Sequence, residues 1–355
     1  MLTTAAHVRT IPVVMFMAVW LTCVPAASLA EDPILIRMPT AMPENSAWAI
    51  ILKEMAAQWT KVSNGRVQVR LYFGGSRGDD PTVVGDMRTR ALNAAVLSSV
   101  GLAELDRTVY AMSIPMAYDS YDEAYAVLEK MRPRLEATLD AKGFVVLNWA
   151  DAGWVHFFTK SPVATPDDLK KLKLFQWQGD PKSMAIWQAA GFNPVAGALS
   201  ELLSGLKKKG GWEACSAPPQ FAVLFRYHEA APYMTDLNWA LLFGAMVVRK
   251  DTWNQIPADI RPALLKAAQE AGIKLRDDIR RSGESSVVSM KKGGLTVVSV
   301  NAAARQEWIK AAQAASPSVR GDFVPADAYD EAIKCRDEYR KQHQAPQQAP
   351  AGQKK

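Results

Sequence analysis

The sequence predicts an α/β protein with two lobes, and three observations carry this prediction. Short apolar strands alternate with amphipathic helices along most of the chain, which is typical of α/β folds. Removing a 30-residue leader from the 355-residue chain leaves 325 residues, enough for two hydrophobic cores. A helical pattern from Pro257 to Lys292 would span ~45 Å, which exceeds the size of one small lobe. We therefore expect this long helix to brace both lobes.

Residues 1–30 have the pattern of a signal peptide. A positive n-region precedes an apolar run at 11–24 that is short for a membrane span, and Ser28 and Ala30 are small residues at the −3 and −1 positions. We expect cleavage after Ala30 and export to the periplasm. The alternatives are an uncleaved membrane anchor and lipidation of Cys23, whose preceding residues fit a lipobox badly.

The charge balance argues against a nucleic-acid partner. Arg9 is the charged residue of the leader, so its removal lowers the net charge from +6 to +6 − 1 = +5. Residues 207–209 form the densest basic cluster, which is typical of a solvated helix end. Basic residues do not alternate with aromatic ones in any block, as they would in a nucleic-acid patch.

The first five elements each carry a distinct pattern. A short apolar run predicts a strand, and an apolar series at helical spacing predicts the helix that follows it. An alternating run that ends at Gly74-Gly75 predicts a second strand. A helix preceded by two aspartates and a short buried strand come next. In order, these elements are residues 34–38, 46–62, 67–73, 81–90 and 94–98.

The middle elements are marked by helix-start signals. Ser120 and Glu123 form a capping-box pattern, and a proline directly after Thr165 and after Asp180 opens two further helices. The last strand is apolar throughout, which predicts that it is fully buried. In order, these elements are predicted at residues 120–141, 144–149, from 165 onward, 172–177, 180–190 and 240–248. Residues 343–355 are rich in Gln, Pro and Ala and are predicted to be disordered.

The cysteines and histidines give no sign of a metal or cofactor site. Cys215 and Cys335 follow the leader, and an exported compartment permits either a disulfide between them or two separate thiols. His156, His228 and His343 do not stand at metal-ligand spacing from one another or from a cysteine. We expect no bound metal and no cofactor.

The turn Gly74-Gly75-Ser76-Arg77-Gly78 matches the nucleophile elbow of serine hydrolases in letters and in strand-to-helix context. However, only two short strands precede Ser76, and Asp79-Asp80 would oppose a developing oxyanion at the helix start. A glycine turn into a helix is the simpler interpretation. A periplasmic serine hydrolase using Ser76 remains an alternative function.

Tryptophans gather at strand ends rather than on helix faces. Trp149 and Trp154 flank residues 150–153, Trp177 ends the strand at 172–177, and Trp239 precedes the apolar run at 240–248. Ligands of open α/β sheets lie outside the carboxyl ends of the strands, and aromatic side chains there supply apolar contact area. These residues are either a ligand pocket or ordinary core packing.

Six segments together resemble the substrate-binding proteins of tripartite ATP-independent periplasmic (TRAP) transporters. The resemblance covers nearly all of the chain after the leader and rests on the order and spacing of the segments. It implies two α/β lobes with crossing strands and a bracing helix, and a receptor that passes a solute to a membrane permease without catalysis. The segments are ILIRMPTAMPENSAW (34–48), GGSRGDD (74–80), SSVGLAELD (98–106), YDEAYAVLEKM (121–131), ADAGWVHFFTKSPVATPDDLKKLKLF (150–175) and RKDTWNQIPADIRPALLKAAQEAG (249–272).

The resemblance also implies where the ligand lies and what it is. The family has a carboxylate-clamping arginine at the position of Phe175, and an asparagine before proline at the position of Ala217. Both anchors are apolar here, so an organic acid would lie unpaired in the cleft and we expect a neutral or largely apolar ligand. The segments GWVHFFTKSPV (153–163) and APYMTDLNWALLFGAMVV (231–248) are most similar to a subfamily that works with a tetratricopeptide-repeat partner.

The resulting expectation is a receptor with two lobes and a ligand between them. Lobe I is expected at 31–150 with about 243–275, and lobe II at 151–242 with about 276–340. A carrier or chaperone for apolar cargo, acting without a permease, is a third class of function. The residues expected to contact the ligand are Trp48, Ser98, Ser99, Trp149, Trp154, Phe175, Trp177, Cys215, Ser216, Ala217 and Pro218.

Overall fold

The computed structural model describes residues 32–178 and 180–343, so the leader and the last twelve residues lie outside the described chain. The strands are β1 Ile34–Pro39, β2 Val67–Tyr72, β3 Ala94–Ser98, β4 Phe144–Thr159, β5 Lys173–Trp177, β6 Asn193–Gly197, β7 Ala214–Ala217, β8 Tyr233–Thr235, β9 Ala240–Arg249 and β10 Thr296–Val298.

The helices are α1 Ala47–Val62, α2 Asp80–Arg88, α3 Ser99–Leu105, α4 Tyr121–Ala141, α5 Pro166–Lys170, α6 Pro181–Ala189, α7 Leu202–Lys207, α8 Pro219–Leu224, α9 Tyr227–Ala230, α10 Lys250–Gln255, α11 Arg261–Lys292, α12 Ala302–Val319 and α13 Ala326–His343. Two 3₁₀ helices lie at Arg107–Ser113 and Leu199–Glu201. Among the described residues, no helix is both long and apolar enough to cross a membrane.

Strand β4 crosses from one lobe to the other. Its first part pairs antiparallel with β9, and its last residues pair with β7 and β8. The sequence predicted that this strand ends at Trp149. The strand continues instead through a register shift between Asp151 and Trp154, with Gly153 at φ +94°. Such a bulge absorbs the irregular residues without ending the strand.

Lobe I is built around β1, β2, β3, the first part of β4 and β9. Strands β1 and β2 are parallel, whereas β9 pairs antiparallel with β3 and β4. One core cluster includes residues of α1 and α11, and a second includes residues of α4 and α13. The indole Nε1 of Trp59 donates to Leu264 O at 2.9 Å and joins α1 to α11.

Lobe II contains a sheet in the order β10-β8-β4-β7-β5-β6. Phe158, Phe175 and Cys215 belong to one of its buried clusters. Phe157 and Leu174 belong to another. Successive residues of β4 and β5 therefore enter different clusters, as the alternation of a strand requires.

Helix α11 is the predicted strut. It runs for 32 residues from Arg261 to Lys292. Leu264 and Ile279 pack in a core of lobe I, whereas Met290 packs in a core of lobe II. One rigid helix thus contributes to both lobes, which confirms the two-lobed α/β fold with a long bracing helix.

Helix α13 lies against α4, whereas the sequence assigned the chain up to about residue 340 to lobe II. Ala328, Ala332 and Cys335 join a lobe I core. Lys130 pairs with Glu338 at 2.7 Å, and further ion pairs join α4 to α13. Charge complementarity between two distant helices selects this packing, and it is invisible in the local pattern of either helix.

The two cysteines of the described chain are unpaired. Cys215 lies in a core of lobe II, whereas Cys335 lies in a core of lobe I. Because the two thiols belong to different lobes, the structure favours the interpretation of two separate thiols. Cys23 lies outside the described residues.

Candidate ligand-binding site

A cavity of about 200 Å³ lies at the carboxyl ends of the parallel strands β5 and β7. Gln176 and Ser216, each the second-last residue of its strand, line it. Val155 of β4 and Trp239, just before β9, complete the sheet side. This is the position at which open α/β sheets bind ligands.

Two helices form the walls of the cavity. Helix α6 and its C-cap contribute Ser183, Ile186, Trp187 and Ala190, whose spacing of three, four and seven residues places them on one helix face. The opposite wall is a face of α12 formed by small side chains, namely Ala311, Ala312, Ala315 and Val319. Alanines leave room for a ligand that larger side chains would fill.

Lobe I closes the remaining end. Ser113, which ends the 3₁₀ helix of lobe I, and Pro115, which follows this helix, line the cavity together with Phe323. Phe323 stacks on Tyr110 with ring centroids 4.1 Å apart and packs against a lobe I core. The cavity therefore lies between the lobes.

Aromatic rings dominate the apolar surface of the cavity. Trp187 and Trp239 have ring centroids 5.5 Å apart, and Phe192 meets Trp187 edge-on at 4.8 Å. Phe157 supports Trp239 from the core at 5.5 Å. The rings are held by other rings, so they form a preformed apolar box that needs little ordering when a ligand enters.

The polar groups of the cavity are neutral. Ser183 Oγ donates to Gln176 Oε1 at 3.4 Å, and Ser113 Oγ donates to Leu241 O at 2.9 Å. Ser216 adds a third hydroxyl. Every described residue that lines the cavity is uncharged. The site can therefore hydrogen-bond a ligand, but it offers no charge to balance a carboxylate.

A second contact between the lobes lies near the same strand end. Trp177 Nε1 donates to Asp79 Oδ2 at 3.2 Å. The neighbouring Asp80 accepts from Ser98 N at 3.0 Å and from Ser98 Oγ at 2.5 Å. Burial raises the pKa of Asp80, and its hydrogen bonds with Ser98 act in the opposite direction. Trp177 and Ser98 were both predicted from the sequence to contact the ligand. In the structure they bind two neighbouring aspartates at this contact between the lobes.

Phe175 faces away from the cavity. Its side chain is 7% exposed and meets Trp212 edge-on, with ring centroids 4.9 Å apart. Cys215 and Ala217 belong to the same buried cluster. Burial raises the pKa of the Cys215 thiol to about 12. The adjacent Gln176 lines the cavity on the opposite face of β5.

Trp154 and Pro218 lie on either side of Gly153. Trp154 packs on Tyr121 with centroids 5.5 Å apart. A Cβ placed on Gly153 would lie 3.6 Å from Tyr121 Oη and 3.9 Å from Pro218 Cβ. This is a close approach between the crossing strand and the start of α8, and neither Trp154 nor Pro218 lines the cavity.

The other predicted residues lie in lobe I. Trp48 and Trp149 are buried in its two cores, and Trp149 Nε1 donates to Glu136 Oε1 at 3.1 Å. Ser99 is buried in the first turn of α3. Of the residues predicted to contact the ligand, Ser216 thus lines the cavity, and Trp177 and Ser98 lie at the second contact between the lobes. Trp48, Trp149 and Ser99 lie at neither place.

The sequence reasoning missed Gln176, Trp187 and Trp239 as lining residues. The alternation of residues 172–177 already separates Gln176 from Phe175, and a glutamine at the end of a buried strand needs a polar partner. Trp239 was among the tryptophans near strand ends that indicated a pocket, although it was not named as a ligand contact. Trp187 carried no local signal, because its role depends on the packing of α6.

Ser76 is exposed at the turn after β2. It borders an open surface groove together with residues of β2 and α1, and none of the described residues that line this groove is a histidine. The groove residues therefore offer no histidine for the Ser-His pair that the nucleophile elbow of a serine hydrolase uses.

Comparison with known proteins agrees with this architecture. A family model described as bacterial extracellular solute-binding protein, family 7 (DctP), matches residues 38–320. The 2,3-diketo-L-gulonate-binding periplasmic protein YiaO of Escherichia coli is 23% identical over 238 residues, which are 66% of this chain and 72% of that protein. The C4-dicarboxylate-binding periplasmic protein DctP of Rhodobacter capsulatus is 26% identical over 250 residues, 69% of this chain and 72% of that protein.

Solved structures share the fold at low identity. The sugar acid binding protein of Advenella mimigardefordensis in complex with galactonate superposes with a TM-score of 0.79 at 18% identity, covering 86% of this chain and 98% of that one. A TRAP periplasmic solute-binding protein of Haemophilus influenzae with bound L-gulonate gives a TM-score of 0.78 at 19% identity, with 86% and 99% covered.

Proposed function

Because the chain belongs to family 7 of the bacterial extracellular solute-binding proteins, we propose that it captures a small neutral, largely apolar ligand in the cavity at Gln176 and Ser216. Proteins of this family are the solute receptors of TRAP transporters and are not enzymes. The hydrolase hypothesis based on Ser76 is therefore set aside. Capture by a receptor also replaces the hypothesis of a carrier that acts without a permease.

The uncharged lining of the cavity carries the proposal about the ligand. The relatives compared above are named for acidic ligands, namely diketogulonate, a dicarboxylate, galactonate and gulonate. An ionised carboxylate that enters a dry cavity without a charged partner costs several kcal/mol. Phe175, which the resemblance places at the family's clamping arginine, packs in a core of lobe II and brings no charge to this region.

The size of the cavity and the arrangement of its polar groups narrow the ligand further. A dry apolar cavity of roughly 150 Å³ holds benzene, so about 200 Å³ suits a compact single-ring molecule. The hydroxyl groups of Ser183 and Ser216 and the amide of Gln176 would bind one neutral polar head group. The rings of Trp187 and Trp239 would contact the apolar body of the ligand.

Calorimetric titration with a matched pair of probes tests this proposal. p-Cresol is neutral, whereas p-toluate has the same ring and methyl group with a carboxylate in place of the hydroxyl. We expect saturable binding of one p-cresol per chain, at least ~10-fold tighter than p-toluate, because of the desolvation cost of the carboxylate. Tighter binding of p-toluate would overturn the neutral-ligand proposal.

The membrane partner and the compartment follow from the family. We propose that the ligand-loaded receptor docks on a TRAP-type permease in the periplasm, after removal of residues 1–30. The segments at 153–163 and 231–248 support a further tetratricopeptide-repeat partner by resemblance alone. Uptake into vesicles that carry the permease tests delivery. The proposal fails if adding the purified receptor leaves uptake unchanged.

A further inference from the structure

We propose that helix α6 is a lid over the cavity and that Asp180 latches this lid to lobe I. The inference rests on the proposed function, since it assigns a means of access to the same cavity. It adds a local movement of one helix to the closure of two lobes. Three features of the described residues lead to it.

The first feature is the weak burial of α6. None of its nine residues, Pro181–Ala189, is buried, although α6 lies over the interior of lobe II. Its inner face, with Ser183, Ile186 and Trp187, borders the cavity, and Ile186 and Trp187 are only partly buried where they pack against core clusters of the two lobes. A helix whose apolar contacts are only half-buried gains less from burial than a core helix, so it opens at lower free-energy cost.

The second feature is the position of the latch. Asp180 Oδ2 accepts from Tyr110 Oη at 3.0 Å, and Asp180 Oδ1 lies 3.8 Å from Arg107 Nη1. Both partners belong to the 3₁₀ helix of lobe I. Asp180 Oδ1 also accepts from Ser183 N at 3.1 Å as the N-cap of α6. One carboxylate therefore begins the helix and ties it to the other lobe.

The side chain of Asp180 is 11% exposed, so its carboxylate is held mainly by protein groups and little by water. A buried carboxylate is stable only with polar partners, and here lobe I supplies two of them. When α6 moves away, Asp180 exchanges these partners for water. The latch thus stabilises the closed position of α6, but it still allows the helix to move to an open position.

The third feature connects the latch to the cavity. Tyr110 stacks on Phe323, and the Arg107 guanidinium lies 4.9 Å from the centroid of the Phe323 ring. Arg107 Nε also donates to Phe323 O at 3.0 Å. Phe323 lines the cavity, so a ligand that packs on Phe323 and on Trp187 contacts both the latch side and the lid. Ligand binding would therefore favour the latched position.

Amide hydrogen exchange followed by mass spectrometry tests the lid without any ligand. In Tyr110→Phe, which removes one hydrogen bond to Asp180, we expect exchange in the peptide 181–189 to rise about fivefold to tenfold. Peptides from α4 and α11 should keep their rates. Tyr125→Phe is the matched control, because the Tyr125 hydroxyl also donates to an aspartate, Asp151 Oδ2 at 2.7 Å, and neither residue belongs to the 3₁₀ helix or lines the cavity.

Asp180→Asn provides a second variant if Tyr110→Phe fails to fold. Asparagine keeps the N-cap of α6 but loses the charge that attracts Arg107, so exchange in 181–189 should again rise. Unchanged exchange in both latch variants, or an equal rise in Tyr125→Phe, would overturn the lid. Because this experiment uses no p-cresol, it tests the lid independently of ligand binding. The lid proposal can be wrong while the cavity binds ligand, and the ligand proposal can be wrong while α6 opens.

Discussion

The indole Nε1 of Trp177 donates a hydrogen bond to Asp79 Oδ2 at 3.2 Å, and the two residues belong to different lobes. Trp177 ends β5, whereas Asp79 is the N-cap of α2. The contact lies one residue along the chain from Gln176, which lines the cavity. Closing the lobes and forming the cavity therefore involve the same strand end.

Trp177→Phe should weaken ligand binding while leaving the cavity lining intact. The variant keeps a ring but loses the donor to Asp79, and a net hydrogen bond of about 1 kcal/mol corresponds to roughly fivefold in affinity. Titration with p-cresol measures the loss. Trp212→Phe is the control, because Trp212 Nε1 donates to Val195 O at 3.1 Å within lobe II. Equal losses in the two variants would contradict a role in closure.

Phe175 and Gln176 are neighbours with opposite expected effects. Phe175→Leu should lower the free energy of unfolding by roughly 1.5 kcal/mol, since it loses packing against Trp212, and should leave p-cresol affinity within about twofold. Gln176→Leu should weaken p-cresol binding with little effect on stability. Urea unfolding and calorimetry separate the two effects. A loss of affinity in Phe175→Leu at unchanged stability would place Phe175 in the binding site, as the family comparison first implied.

The ion pair of Arg340 and Glu123 should hold α13 on α4. The Glu123 side chain is 3% exposed, so Arg340→Ala leaves a buried carboxylate without its charged partner. We expect a loss of about 2 kcal/mol in the free energy of unfolding. This is less than for a fully buried ion pair, because the Arg340 side chain is about a third exposed and water screens the pair. Arg320→Ala breaks an exposed pair with Asp330 and should cost clearly less stability than Arg340→Ala. Equal losses in the free energy of unfolding for the two variants would contradict the role of the Arg340–Glu123 pair in holding α13 on α4.

The Cys215 thiol should be inert in the folded protein. Burial raises its pKa to about 12, so the reactive thiolate is scarce at pH 8, and the side chain is fully buried. We expect a thiol reagent at pH 8 to modify Cys215 only after denaturation. Mass mapping of the labelled peptides checks this. Rapid labelling of Cys215 in the native protein would show that lobe II opens readily.

Much of the fold was accessible from sequence because it depends on local patterns. The apolar period of α11 predicted a helix longer than one lobe, and the proline after Asp180 marked the start of α6. The passage of β4 through Gly153 was missed, because a bulge and a turn have the same local signal. The packing of α13 was also missed, since it depends on a distant helix.

The candidate site was less accessible for a related reason. The sequence pointed to the strand at 172–177, whose end borders the cavity, and raised the question of which face holds the ligand. The family comparison drew attention to Phe175, whereas the lining of the cavity includes Gln176. Which face meets the gap between the lobes is decided by α6, α12 and the 3₁₀ helix of lobe I, and their packing is not encoded in β5.

Mass spectrometry of the small molecule that co-purifies with the chain tests the central claim most directly. Ala312 lines the cavity, whereas Ala314 is exposed on the same helix. The account predicts one neutral, single-ring molecule per chain in the wild-type protein and in Ala314→Phe, and its absence in the cavity-filling variant Ala312→Phe. A bound carboxylate, or equal loading of Ala312→Phe, would contradict it.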